Sequence, residues 1–144
     1  MGAWGYGVFE DDSALDFLEE ELIGQADPRP VMARAFSEGL GPELDYEQGC
    51  AVLVCALVLS ALVEGHPLDH SEEPEWARWR MSVSALDYGA LYEAAAKALE
   101  GVLGSGSELR QLWEENKEDY PAWVQQGKDL LEWALEKASQ GSAG

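Results

Sequence analysis

Apolar residues recur along this chain with the period of an α-helix. Ala14, Leu15, Phe17, Leu18 and Leu22 form a stripe at helical spacing. The stripe follows Asp11, Asp12 and Ser13, whose side chains can accept from the free N–H groups of a helix start, and Gly24 is its expected stop. Asp27-Pro28-Arg29-Pro30 predicts a turn, with Pro30 in the first turn of a short helix carrying Val31, Met32, Ala35 and Phe36. Gly39, Gly41 and Pro42 end it. A longer helix is predicted from about Glu43 to Glu64. Beyond Gly49 it is apolar on nearly every side, which is the pattern of a helix at the centre of a core.

Ser84 followed by Asp87 three positions on matches a capping box. It would open a helix that keeps Leu86, Ala90, Leu91, Ala94, Ala95, Ala98, Leu99, Val102 and Leu103 on one face, with Glu93 and Lys97 paired outside. The Gly-Ser run 104–107 is a break, and Ser107 caps a helix bearing Leu109, Leu112 and Trp113. Asp119-Tyr120-Pro121 restarts the chain into a last helix with Trp123, Leu130, Leu131, Ala134 and Leu135 facing inward.

Two stretches escape these periods. Gly2, Gly5 and Gly7 make the opening a loop, and residues 65–75 form a second loop holding both histidines and four acids. The segment 76–83 that follows reads equally as a short helix or as extended chain. No alternating strand and no internal repeat is visible. The expected fold is mainly α, a single compact domain of five to six helices around a buried central helix at about 43–64. The domain spans 1–140, and 141–144 is an expected mobile tail.

Composition narrows the function. At 144 residues with 47% hydrophobic content, one folded domain with a real core is expected. There are 28 acidic against 9 basic residues, a formal net charge of −19. Such a surface repels phosphate backbones and anionic membranes, so neither nucleic acid nor membrane is an expected partner, whereas a basic protein is. Cys50 and Cys55 lie about 140° apart around a helix, poorly placed to bridge, and read as small reduced core residues. The uncharged run Cys50–Val63 is 14 residues, short of the roughly 20 that span a bilayer. With no signal-peptide pattern, a cytoplasmic location is expected.

Candidate chemistry is sparse. The opening G-x-x-G-x-G lacks the strand and spacing of a dinucleotide site and the Gly-Lys-Ser/Thr end of a phosphate loop. Its glycines allow close backbone approach while Trp4, Tyr6 and Phe9 bury their rings or meet a partner. The pattern Trp4-Gly5-x-Gly7-x-Phe9-x-x-Asp12-x-Ala14, running into a Leu-rich helix, resembles the opening of the bacterial domain-of-unknown-function 4259 family. The later Gly106-Ser107-Glu108-Leu109-Arg110-x-Leu112-Trp113, followed by Trp123, is similar to it too. The resemblance covers nearly the whole chain. It implies a small bacterial cytoplasmic domain and transfers no catalytic residue.

His66, Asp69 and His70 have the chemistry of a zinc site, but the two histidines would share a face only on a helix and Gly65 and Pro67 favour a loop, so no metal and no cofactor is expected. No nucleophile elbow is present. Asp12, Asp16, Glu19 and Glu20 share a helix face, and with Trp4 and Tyr6 they are the expected docking residues for a basic partner. This points to a non-catalytic binding module such as an immunity or inhibitor protein. Two alternatives stand beside it. One is an enzyme or small-molecule-binding domain using Arg78 and Arg80, near the N-terminal loop, to hold a carboxylate or phosphate. The other is an oligomerising structural module whose six tryptophans supply an interface.

Overall fold

The computed structural model describes residues 16–143, apart from 24, 42, 66–73 and 116. Helices are the regular elements of the described chain. A π-helical turn, Phe17–Leu22, is followed by α1 (Arg29–Glu38), α2 (Tyr46–Glu64) and α3 (Pro74–Val83). A 3-10 turn, Gly89–Leu91, leads into α4 (Tyr92–Val102), and α5 (Glu108–Glu114) and α6 (Tyr120–Ala143) complete the fold. Leu44 and Ser107 form one isolated parallel bridge, and no strand occurs among the described residues.

The expected central helix is α2. It starts at Tyr46 rather than Glu43 because Asp45 is its cap: the Asp45 carboxylate accepts from Gln48 N–H at 2.8 Å, and the Gln48 side chain accepts from Asp45 N–H at 3.1 Å. This reciprocal box satisfies two of the free donors at the helix start. Gly65 ends the helix in the left-handed region at φ 78°, which glycine enters without a Cβ penalty. Thirteen of the 19 residues are buried, so α2 has no solvent side to make polar. It is long and apolar enough to cross a membrane, yet 72% of that stretch is buried inside the fold, which accounts for its composition.

The other elements wrap this core. α1, α4, α5, α6 and the π-helical turn all pack on α2, and α4 with α6 makes the broadest helix pair. Met32, Ala35 and Phe36 of α1 point inward as their spacing predicts. Gly39, just past α1, lets that helix end settle on α2 and α4: a Cβ there would lie 2.7 Å from Val52 Cγ2 and 3.3 Å from Ala98 Cβ. Trp113 and Tyr120 stack on buried Trp123 with ring centroids 5.9 and 6.2 Å away, locking α5 to the start of α6. Cys50 and Cys55 are buried and not disulfide-linked.

Two local expectations are corrected and one open segment is decided. Ser84 and Asp87 form no capping box; residues 84–88 turn, and Asp87 Oδ1 accepts instead from Gly89 N–H at 2.9 Å, starting the 3-10 turn. The ambiguous segment is helical as α3, whose Trp79 and Val83 are buried. Trp79 fastens it by donating its indole N–H to the Gln25 carbonyl at 2.9 Å. On α6, Trp123, Leu130 and Ala134 are buried, but Leu135 is half exposed, because it sits one position past the inward stripe.

Candidate functional site

The first turn of α2 projects Glu47 toward the π-helical turn. In that wider turn, residues four and five positions apart lie next to each other. Glu20 and Glu21 therefore both neighbour Asp16. Together with Phe17 and Glu47 they line a shallow depression of about 230 Å³. Two expected docking residues, Asp16 and Glu20, thus come together here. Of Glu19 only the backbone is described, and Trp4, Tyr6 and Asp12 lie outside the described residues.

A second depression, about 380 Å³, opens on the other side of the same helix end, lined by Glu43, Leu44, Asp45, Gln48, Glu108 and Gln111 among others. Its floor is the Leu44–Ser107 bridge, where Leu44 N–H donates to Gly106 O at 3.0 Å and Glu108 N–H to Leu44 O at 2.9 Å. Here the carboxylates are partly committed to the fold. Asp45 caps α2, and Glu108 Oε1 accepts from Tyr46 N–H at 3.2 Å. The positive pole of α2 stabilises this concentration of negative charge. In the first depression the one ion pair among the described residues is Arg34 with Glu21, at 3.6 Å and well exposed. An exposed pair like this contributes about 0–1 kcal/mol. The described lining offers carboxylate oxygens and one aromatic ring, groups that interact favourably with cations.

Arg78 and Arg80 are not brought together. Extended chain would put both on one face, but on α3 residues two apart point about 200° apart. Arg78 is exposed; Arg80 is half-buried, with Nη2 3.4 Å from where a Gly65 Cβ would lie. That places its charge at the negative C-terminal pole of α2, which has no basic residue in its own last turn. Lys137 of α6 serves the same pole by an ion pair to Glu64 at 2.9 Å, and Trp133 donates its indole N–H to that carboxylate at 3.0 Å. The hydrogen bond to Glu64 raises the Lys137 pKa.

The histidine loop, with His66, Asp69 and His70, lies outside the described residues, and no group of three potential ligands is placed to hold a metal among those described. Two clusters elsewhere are architectural. Asp27 and Arg29 form a two-pronged pair at 2.8 Å, and Arg29 also donates to Asp87 O at 3.1 Å, tying the start of α1 to the 84–88 turn. The Arg29 hydrogen bonds hold the Asp27 carboxyl below its ordinary pKa. Burial pushes the Tyr88 phenol up to about 12 while it donates to Val83 O at 2.6 Å.

Phe17, Glu21 and Glu47 were absent from the docking set read from the sequence. Glu21 continues the visible acidic stripe. Glu47 meets it only through tertiary packing of the π-helical turn on α2, for which local periodicity carries no signal.

A family model described as "Domain of unknown function (DUF4259)" matches residues 2–126, and the chain belongs to that family. The matched region includes both depressions and α3, and it ends inside α6. No curated protein and no solved structure gives a significant match.

Proposed function

We propose that this member of the DUF4259 family is a non-catalytic cytoplasmic binding module. It docks a basic protein on the carboxylates beside the first turn of α2, as an immunity or inhibitor protein does. The observation that carries the reading is the convergence of Asp16, Glu20, Glu21 and Glu47 on one depression whose described ion pairing is a single long contact to Arg34. The net charge of −19 supports it at long range. Complementary charge lifts association from about 10⁵–10⁶ to as much as about 10⁸–10⁹ M⁻¹s⁻¹ at low salt. Phe17 adds an apolar and π surface for the stem of a lysine or arginine. Buried, reduced Cys50 and Cys55 accord with a reducing compartment.

The test is capture from the native cytosol at low salt, eluted in salt steps and compared with the triple variant Asp16→Lys, Glu20→Lys, Glu47→Lys. A basic protein retained by the wild type, released at moderate salt and lost by the variant is the expected result. Retention indifferent to salt or to the charge reversal, or no basic protein retained, would overturn the reading.

A further inference from the structure

The chain holds 28 acids, yet none lies between Trp76 and Leu86, where Arg78 and Arg80 both fall. α3 enters this stretch from Glu75, its one acid, and turns Trp79 and Val83 inward. Ala77, Arg78, Met81 and Ser82 are left outside. Met81 is 82% exposed, far beyond the other large exposed apolar side chains among the described residues, none of which exceeds 51%. Arg78 and Met81, three positions apart, are surface neighbours on that face. No ion pair joins Arg78 to another of the described residues. Among its described side chains the outer face of α3 is therefore a cation beside a bare thioether, on a molecule that is otherwise strongly acidic.

Its chemical complement is on the same molecule. The depression of Asp16, Phe17, Glu20, Glu21 and Glu47 offers carboxylates for a guanidinium and an aromatic ring for a methionine sulfur. We propose that two copies of this chain pair reciprocally, the α3 face of each seated in the carboxylate-lined depression of the other. The placement favours a closed pair. Gln25 receives the Trp79 indole N–H, and its own N–H donates to Leu22 O at 3.1 Å. The depression and α3 thus stand at the two ends of one short segment, 17–25. In such a pair a two-fold axis makes the two contacts equivalent and closes the assembly. The pair and a basic partner use the same carboxylates, so pairing would mask the docking site, but the inference stands on the α3 face and not on the basic partner.

Two copies of charge −19 repel at long range. At about 0.15 M salt the screening length is about 8 Å, which confines that repulsion and leaves the contacts. The experiment is sedimentation equilibrium of the full chain at that salt, from micromolar to millimolar concentration. The expected mass rises from 15.7 kDa to twice that value and stops. Arg78→Glu and Glu20→Arg should each hold the monomer mass, Met81→Ser should weaken pairing, and the double variant Arg78→Glu with Glu20→Arg should regain the dimer. Circular dichroism of each variant confirms that it folds. A wild type that stays monomeric at the highest concentration, a dimer that survives Arg78→Glu, a double variant that fails to regain pairing, or masses climbing past two copies would each overturn the proposal.

Discussion

Gly39 and Tyr88 show how single residues set the packing around α2. A Cβ at Gly39 would press on Val52 and Ala98, neither of which has a flexible end to move aside. Overpacking costs about 1–3 kcal/mol, against a gain of about 0.4–1 kcal/mol from a stiffer unfolded chain. Gly39→Ala should therefore lower stability by about 1–2 kcal/mol, read as a lower urea midpoint with an unchanged slope. Tyr88 works through its neutral phenol. Its folded pKa is about 12 against an ordinary 10, so its contribution is complete below pH 10 and fades as pH rises from 10 to 12. Tyr88→Phe should flatten that alkaline loss in pH-dependent melts. At neutral pH it should cost about 0.5–1.5 kcal/mol for the missing hydrogen bond. Asp27 acts at the other end of the scale. Its folded pKa is lowered, so its contribution is present above the ordinary 3.8 and lost as pH falls through the lower folded value. The Glu93–Lys97 pair, 3.2 Å apart, was legible from its spacing alone. The Gly39 contacts were not, because they depend on elements distant in sequence, and the Tyr88 bond to Val83, though only five residues long, forms in a turn that no periodicity marks.

At the scale of elements, α2 and α3 differ sharply in burial and should differ in local stability. α2 is covered on every side, whereas α3 is fastened mainly through Trp79 and Val83 and presents its outer face to water. In native-state hydrogen exchange the α3 amides should exchange earliest of the helices, and the interior amides of α2 should exchange only with global unfolding. Trp79→Phe, which removes the bond to Gln25 O, should accelerate α3 exchange and leave α2 unchanged; equal acceleration of both would show α3 to be part of the cooperative core. The helices legible in the sequence are those whose signals are local: α2 from its uninterrupted apolar run, α1 from Pro30 and its stripe, and α5 from Ser107, whose hydroxyl accepts from Arg110 N–H at 3.2 Å. The start of α4 was misread because Asp87 can cap in two ways, and Gly89 beside it makes the tight turn available. α3 was undecided because a ten-residue helix with two buried side chains among the described ones, Trp79 and Val83, has little periodicity to read. For the site, the acidic stripe was legible and its enclosure by Glu47 was not.

For the whole molecule, net charge has opposite effects on folding and on docking. Self-repulsion among 28 acids with 9 bases destabilises the compact state most when screening is weak. The melting temperature of the isolated chain should rise as salt goes from about 0.01 to 0.15 M, over which the screening length falls from about 30 to 8 Å. Over the same range, affinity for a basic protein should fall. A melting temperature that drops with added salt would mean that internal ion pairs, and not net repulsion, dominate the balance.

The uniform apolarity of α2 also bears on how the chain is made. No lysine or arginine lies between Arg34 and Arg78, so the apolar run reaches the ribosome exit with acids on both flanks and no cation to orient it in a bilayer. The helices that cover its far side, α4 and α6, are translated later, and at about 5–20 residues per second α2 waits some seconds for them. A chain stopped before Tyr120 never receives α6 and should collect in the pelleted fraction, whereas the full chain should not. The order of synthesis thus makes the last helix the step that ends the exposure of the middle one.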